Sequence, residues 1–171
     1  LLHGGFGLLS VGNLRKPRWW ALWMLEQLLP QRIVVGVTGD GAGDMVDAVA
    51  TRDGRGRMSI VVWSATADVT KAAGDRLLDR HIELVVEGVP AGGYRIRHRR
   101  LDETHSNLNA IWGRIADGRA WPDDSEWRTL HELDRLEDLE PVHTLHPHDG
   151  TLTLEFELPM PAVSLIELVP E

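Results

Sequence analysis

Glu155 and Glu157 stand two residues apart in the run TLTLEFEL. On a strand this spacing puts both carboxylates on one face, roughly 6.6 Å apart. Glycosidases work with carboxyl pairs about 5 to 9.5 Å apart, so the spacing alone passes. The alternation with Leu152, Leu154, Phe156 and Leu158 argues for a plainer origin. Charged residues alternating with a core face are what a solvated sheet surface looks like, and neighbouring positions on one strand create no cleft to raise one pKa. His143, His146 and His148, with Asp149, form the densest set of side chains able to ligate a metal such as zinc, copper or nickel. Pro141 and Pro147 break regular structure there. The histidines are therefore expected on an irregular strand or loop, and the reading adopted is a surface loop that holds no metal.

Three further groups carry weaker signals. Tyr94-Arg95-Ile96-Arg97-His98-Arg99-Arg100 is a basic patch with arginines alternating as a strand would place them. Arginine beside aromatics can follow a nucleic-acid backbone, but Asp102 and Glu103 are at hand as ion-pair partners. His3-Gly4-Gly5-Phe6-Gly7 and Asp40-Gly41-Ala42-Gly43-Asp44 lack the glycine spacing, Lys-Ser/Thr or distant acid of phosphate and dinucleotide loops. The second of them reads as a turn. Of seven tryptophans, Trp19, Trp20 and Trp23 crowd one helix, which leaves Trp63, Trp112, Trp121 and Trp127 as sugar-stacking candidates, with core placement favoured for each.

The elements that must position these residues separate by period. Pro17 can open a helix and Pro30 closes it. Between them Trp19, Trp20, Leu22, Trp23, Met24, Leu25, Leu28 and Leu29 leave almost no polar face, so the helix is expected to be covered on more than one side. Strands are expected over residues 32–38, 44–52, 57–64, 82–87 and 94–101, with Asp53-Gly54-Arg55-Gly56 as a hairpin turn. The period then changes. Ser106 or Asn107 caps a short helix through Ile111 and Ile115, and Pro122-Asp123-Asp124-Ser125 opens a second carrying Trp127, Leu130, Leu133 and Leu136. Strands return over 151–158 and 162–169. The fold class is mainly β: an antiparallel β-sandwich over 31–171 with a small helical insertion at about 103–140.

Composition narrows the function classes. With 26 acidic against 18 basic residues, the net charge of -8 argues against nucleic acid or an anionic membrane as a partner. There is no cysteine, which excludes disulfides and thiolate metal sites and favours a cytoplasmic setting. No apolar run reaches the roughly 18 residues of a membrane span, and the opening residues lack a basic n-region. An apolar, glycine-punctuated opening without methionine is an odd free terminus. Leu1 is accordingly expected to lie inside a longer polypeptide.

Specific strings go further. His3-Gly4-Gly5-Phe6-Gly7-Leu8-Leu9, then Leu14-Arg15-Lys16-Pro17 and an aromatic-rich helix, resemble the carboxy-terminal part of glycoside hydrolase family 39, the family of bacterial β-xylosidases and α-L-iduronidase. Residues 94–102 (YRIRHRRLD), His105-Ser106-Asn107, the Trp121-Pro122 stretch and the ending LPMPAVSL extend the resemblance, in order, over essentially the whole chain. The resemblance implies that residues 1–30 are the last strand-loop-helix piece of a (β/α)₈ catalytic barrel. It implies retaining hydrolysis of a glycosidic bond by two glutamates about 5 to 5.5 Å apart. Neither glutamate motif occurs in this chain, so no catalytic residue is assigned. His3 and Phe6 would be the residues nearest the family active site. A xyloside or related glycoside would be the substrate, with no cofactor, and a homo-oligomer stays open. The rival reading is a non-catalytic sandwich module for sugar binding or oligomerisation.

Overall fold

The computed structural model describes residues 7–68, 70–71 and 74–171; His3 and Phe6 lie outside the described residues. Helix α1 (Pro17–Glu26) starts at its proline, after an extended Lys16 that supplies no side-chain cap. A long antiparallel sheet follows from β1 (Gln31–Ile33), β2 (Val46–Arg52) and β3 (Met58–Ser64). Its later members are β5 (Tyr94–Leu101), β6 (Glu137–Asp138), β7 (His143–Leu145) and β9 (Ala162–Pro170). The order is β1-β2-β3-β9-β5-β6, and β7 also pairs with β5. β4 (Arg80–Glu87) and β8 (Thr151–Leu158) form a second, two-stranded sheet, with Ile82 opposite Phe156 and Leu84 opposite Leu154.

The strict alternation of β8 does what its pattern demands. Leu152, Leu154, Phe156 and Leu158 are buried against Ile60, Val62, Ile96, Ile166 and Leu168 of the larger sheet. Each large aliphatic so buried contributes about 1.5–3 kcal/mol. On the opposite face of the larger sheet, Trp20 and Met24 of α1 pack on Val61, Leu101 and Leu165. The β2–β3 hairpin turns at Asp53, whose Oδ1 accepts the Arg55 and Arg57 N–H groups at 2.9 and 3.0 Å.

The insertion holds α2 (Leu108–Ile115) and α3 (Asp124–Leu133). Of the two expected caps, Asn107 takes the role, its Oδ1 accepting the Asn109 N–H at 3.1 Å. Asp123 caps α3 in a capping box with Glu126. Leu108, Trp112, Ala116 and Leu130 enclose Leu14 from the leading segment.

The structure departs from expectation at three places. The strand expected over 32–38 ends at Ile33; the chain leaves the sheet and residues 35–40 line a cleft with β4. Arg80 holds that excursion, its Nε donating to the Asp40 carbonyl at 3.1 Å. Helical character does not reach Leu136, because α3 stops at Leu133 and Glu137 and Asp138 pair with Arg100 and Arg99 of β5. Finally, α1 is packed on its sheet-facing side, while Leu22 and Leu25 remain 50% and 47% exposed.

One turn carries a testable prediction. Gly12 has no positive φ, yet a methyl group there would collide with the Trp127 ring of α3. Gly12→Ala is expected to destabilise the chain by about 1–3 kcal/mol through overpacking, read as a lower Tm. An unchanged Tm would show that the ring swings aside freely.

Candidate functional site

The larger sheet presents a polar patch to the sandwich interior. β5 alternates Tyr94, Ile96, His98 and Arg100 inward, and β9 places Ser164 opposite Arg100. Arg100 Nε donates to Ser164 Oγ at 2.7 Å, and its Nη2 donates to the Glu157 carbonyl at 2.8 Å. Ser164 Oγ also meets His98 Nε2 at 2.9 Å. A hydroxyl has one proton. Ser164 accepts from Arg100 and keeps its proton and a second lone pair, so its Oγ can pair with His98 Nε2 in either neutral tautomer. Burial, helped by the Arg100 charge, pushes the His98 pKa down to about 3. The ring of Phe156 lies edge-on to His98 at 4.7 Å and under the Arg100 guanidinium at 5.7 Å.

The network continues to the end of the strand. Asp102 Oδ2 lies 3.6 Å from Arg100 Nη1. Asp102 Oδ1 accepts the Thr104 and His105 backbone N–H groups, each at 2.7 Å. Burial disfavours the Asp102 charge, but those donors and His105 outweigh it and hold the carboxyl below its ordinary range. Ser106 takes a left-handed φ of 54°. Its hydroxyl donates to the Arg100 carbonyl at 2.6 Å and accepts the Glu137 N–H at 2.8 Å. The string His105-Ser106-Asn107 is thus a corner that ties β5, β6 and the start of α2 together.

The residues singled out from sequence separate from one another. Glu155 and Glu157 lie on the outer, solvated face of β8 and flank His81 at 3.6 and 2.9 Å. Hydrogen bonding to Glu157, with the charges of Glu155 and Glu83, raises the His81 pKa. They form an exposed ion-pair set and enclose no cleft. His143 sits in β7 and faces the Pro141 carbonyl, His146 is exposed, and His148 bridges to Thr151 through its backbone. Among the described residues no group of three or more histidines and carboxylates is placed to hold a metal ion. Asp40 to Asp44 is a turn, with three N–H groups directed at the Gly41 carbonyl.

Three of the four arginines on β5, Arg97, Arg99 and Arg100, meet a carboxylate. Arg97 pairs with Asp138 at 2.7 Å, Arg99 pairs with Glu167 at 2.9 Å, and Arg99 also lies 5.2 Å from the Trp23 ring centre. Of the tryptophans weighed for stacking, Trp112 is core, Trp63 and Trp127 are partly buried, and Trp121 is 53% exposed. Sequence reasoning did not find the buried set of His98, Arg100 and Ser164. The available signal was parity: His98 and Arg100 share their strand face with Ile96. Among the described residues no helix is long and apolar enough to cross a membrane.

These features define a two-sheet antiparallel sandwich with a small helical insertion and a leading helix on its outer face. The family model of the glycosyl hydrolases family 39 matches residues 1–150, and the chain belongs to that family. Solved structures agree in fold. The chain is similar to the bacterial orthologue of human α-L-iduronidase, with a TM-score of 0.76 and 20% identity over 92% of this chain. It is similar to the family 39 enzyme from Xanthomonas axonopodis pv. citri, with a TM-score of 0.71 and 21% identity over 99%. A monomeric β-xylosidase from Caulobacter crescentus CB15 gives a TM-score of 0.70 and 24% identity over 98%. The chain spans 28%, 33% and 33% of those three structures, respectively. None of the curated proteins matches it.

Proposed function

We propose that this chain is the carboxy-terminal part of a retaining glycosidase that hydrolyses β-xylosides, with both catalytic glutamates in a barrel preceding Leu1. The observation that carries the reading is the family match over residues 1–150 in a chain spanning about a third of the similar enzymes. In this reading residues 1–30 close the barrel and 31–171 form the sandwich. The half-exposed Leu22 and Leu25 support it, since a second domain would cover that side of α1. His3 and Phe6 would then sit at the trailing edge of the active site.

Xyloside is adopted from the resemblance of the strings HGGFG and LRKP to the bacterial β-xylosidases of the family. The role assigned to the sandwich is to cover the barrel flank. Its corner of Asp102, His105, Ser106 and Asn107 stiffens the end nearest Pro17, where α1 begins.

The expected result with an aryl β-xyloside is no turnover by the 171-residue chain and turnover by the polypeptide extended upstream. An aryl iduronide should be cleaved far more slowly by the extended form. Turnover by the 171 residues alone would contradict the proposal.

A further inference from the structure

We propose that the open edge of β4 takes up one extended peptide strand, supplied by a partner whose residues alternate between aliphatic and basic. β4 pairs only with β8, and the parity of that pairing leaves one set of backbone groups over. Thr151 spends its N–H and C=O on His148, and the Glu157 carbonyl turns to Arg100, so these β8 residues face away from β4. Their cross-strand partners Glu87 and His81, and with them Glu83 and Val85, direct N–H and C=O to the far side of β4. Among the described residues no backbone hydrogen bond reaches that side. Unpaired strand groups of this kind are a template for a further strand.

The space beside the edge has a second wall and a floor. The chain that leaves β1 forms the wall, and a cleft of about 280 Å³ lies between its residues 35–40 and the start of β4. Residues 34–38 make no backbone hydrogen bond among the described residues, so both sides of the cleft offer unpaired backbone. Val46, Ala48 and Val62 floor it. An aliphatic side chain of an entering strand would therefore meet apolar surface, while its neighbours in sequence point outward.

Charge selects the occupant. On the outer face Glu83 stands directly opposite Glu155, an unfavourable like-charge pair, with Glu87 and Glu157 on the same face. Among the described residues His81 alone lies within ion-pair distance of any of the four. A strand added beside β4 brings its outward residues next to Glu83 and Glu87, where lysine or arginine is attracted and a carboxylate repelled. A second copy of this chain fits poorly, because it brings the same carboxylates and a net charge of -8.

The test is titration of the end-capped hexapeptide KVKVKV into the ¹⁵N-labelled 171-residue chain, with hydrogen exchange followed on the upstream-extended polypeptide. The expected result is saturable shifts and slowed exchange at the amides of His81, Glu83 and Val85, with a Kd on the order of 0.1–1 mM. The peptide EVEVEV should bind at least about tenfold more weakly. KVKVKV N-methylated throughout should lose most of its affinity, because it keeps the charge but neither of its edges can donate. Glu83→Lys should weaken KVKVKV about fivefold without lowering Tm, since it turns the repulsion from Glu155 into attraction. The proposal is overturned if shifts are absent or fall only elsewhere, if either control peptide binds as well, or if Glu83→Lys leaves Kd unchanged. Protection of the same amides before peptide is added also overturns it: in the extended polypeptide the preceding domain would be the occupant, and protection that grows with protein concentration would mean a second copy.

Discussion

Arg100→Met is expected to lower the unfolding free energy by about 3–5 kcal/mol, the loss seen when one member of a buried charged pair is removed. The reason lies in what the guanidinium leaves behind. Arg100 is 2% exposed and is held among Ser164 Oγ, the Glu157 carbonyl and Asp102. Its removal strands an acceptor on each of two strands and a buried carboxylate at the end of β5. Methionine fills much of the volume but offers no donor. Arg100→Lys should recover less than half of the loss, because an ammonium cannot present separate N–H groups to Ser164 and Glu157 in that planar geometry. Urea denaturation measures both, and a loss below about 1 kcal/mol for Arg100→Met would show that the network is incidental.

The second large effect is on acid stability. His98 titrates near 6.5 when unfolded but is pushed to about 3 in the fold. The native state therefore binds fewer protons than the unfolded chain between those values, and stability falls as pH drops through this window. The slope from this residue alone is about 1.4 kcal/mol per pH unit. Glu140 stands 3.9 Å from Nδ1, half exposed, and does not offset the burial. His81 acts in the opposite sense: its raised pKa gives a contribution present below the unfolded value and lost as pH rises through the folded one. His98→Gln keeps a side chain able to pair with Ser164 Oγ and cannot be protonated. The difference between wild type and variant in urea midpoints from pH 7 to pH 4 should shrink as pH falls. A constant difference would mean that His98 does not titrate as the burial requires.

Much of the fold was legible because its strands alternate. β8 shows leucine and phenylalanine on one face and threonine and glutamate on the other, and one register satisfies it. Asp123 and Pro122 announced α3 in the same way. Less legible were elements decided by tertiary contact. Val34 through Thr38 has strand composition, but the chain turns away to the edge of β4, leaving Val34 97% exposed. Glu137 and Asp138 look like the tail of a helix until the arginines of β5 claim them.

The site was legible in a different way. Spacing raised Glu155 with Glu157 and the histidines from His143 to His148, but the alternation and the prolines read as solvated surface, which is where the structure places both sets. Two of the strings that pointed to the family are explained by packing. His105-Ser106-Asn107 is a hydrogen-bonded corner, and Arg100 within YRIRHRRLD is the buried cation that anchors it. Strand parity separates Arg97, a surface ion pair, from Arg100, a core one, once the face that carries Ile96 is known to be the inner one.

The proposal places the reacting carboxylates of a longer glycosidase before Leu1 and none in residues 1–171. A retaining glycosidase passes through a covalent glycosyl-enzyme ester on its nucleophile. A 2-deoxy-2-fluoro-xyloside with a good leaving group traps that ester, and peptide mass spectrometry locates it. In the upstream-extended polypeptide the label is predicted on one glutamate before Leu1, with none on the 171-residue chain treated alone. A label on Glu155, Glu157 or any other carboxylate of these 171 residues would contradict the account.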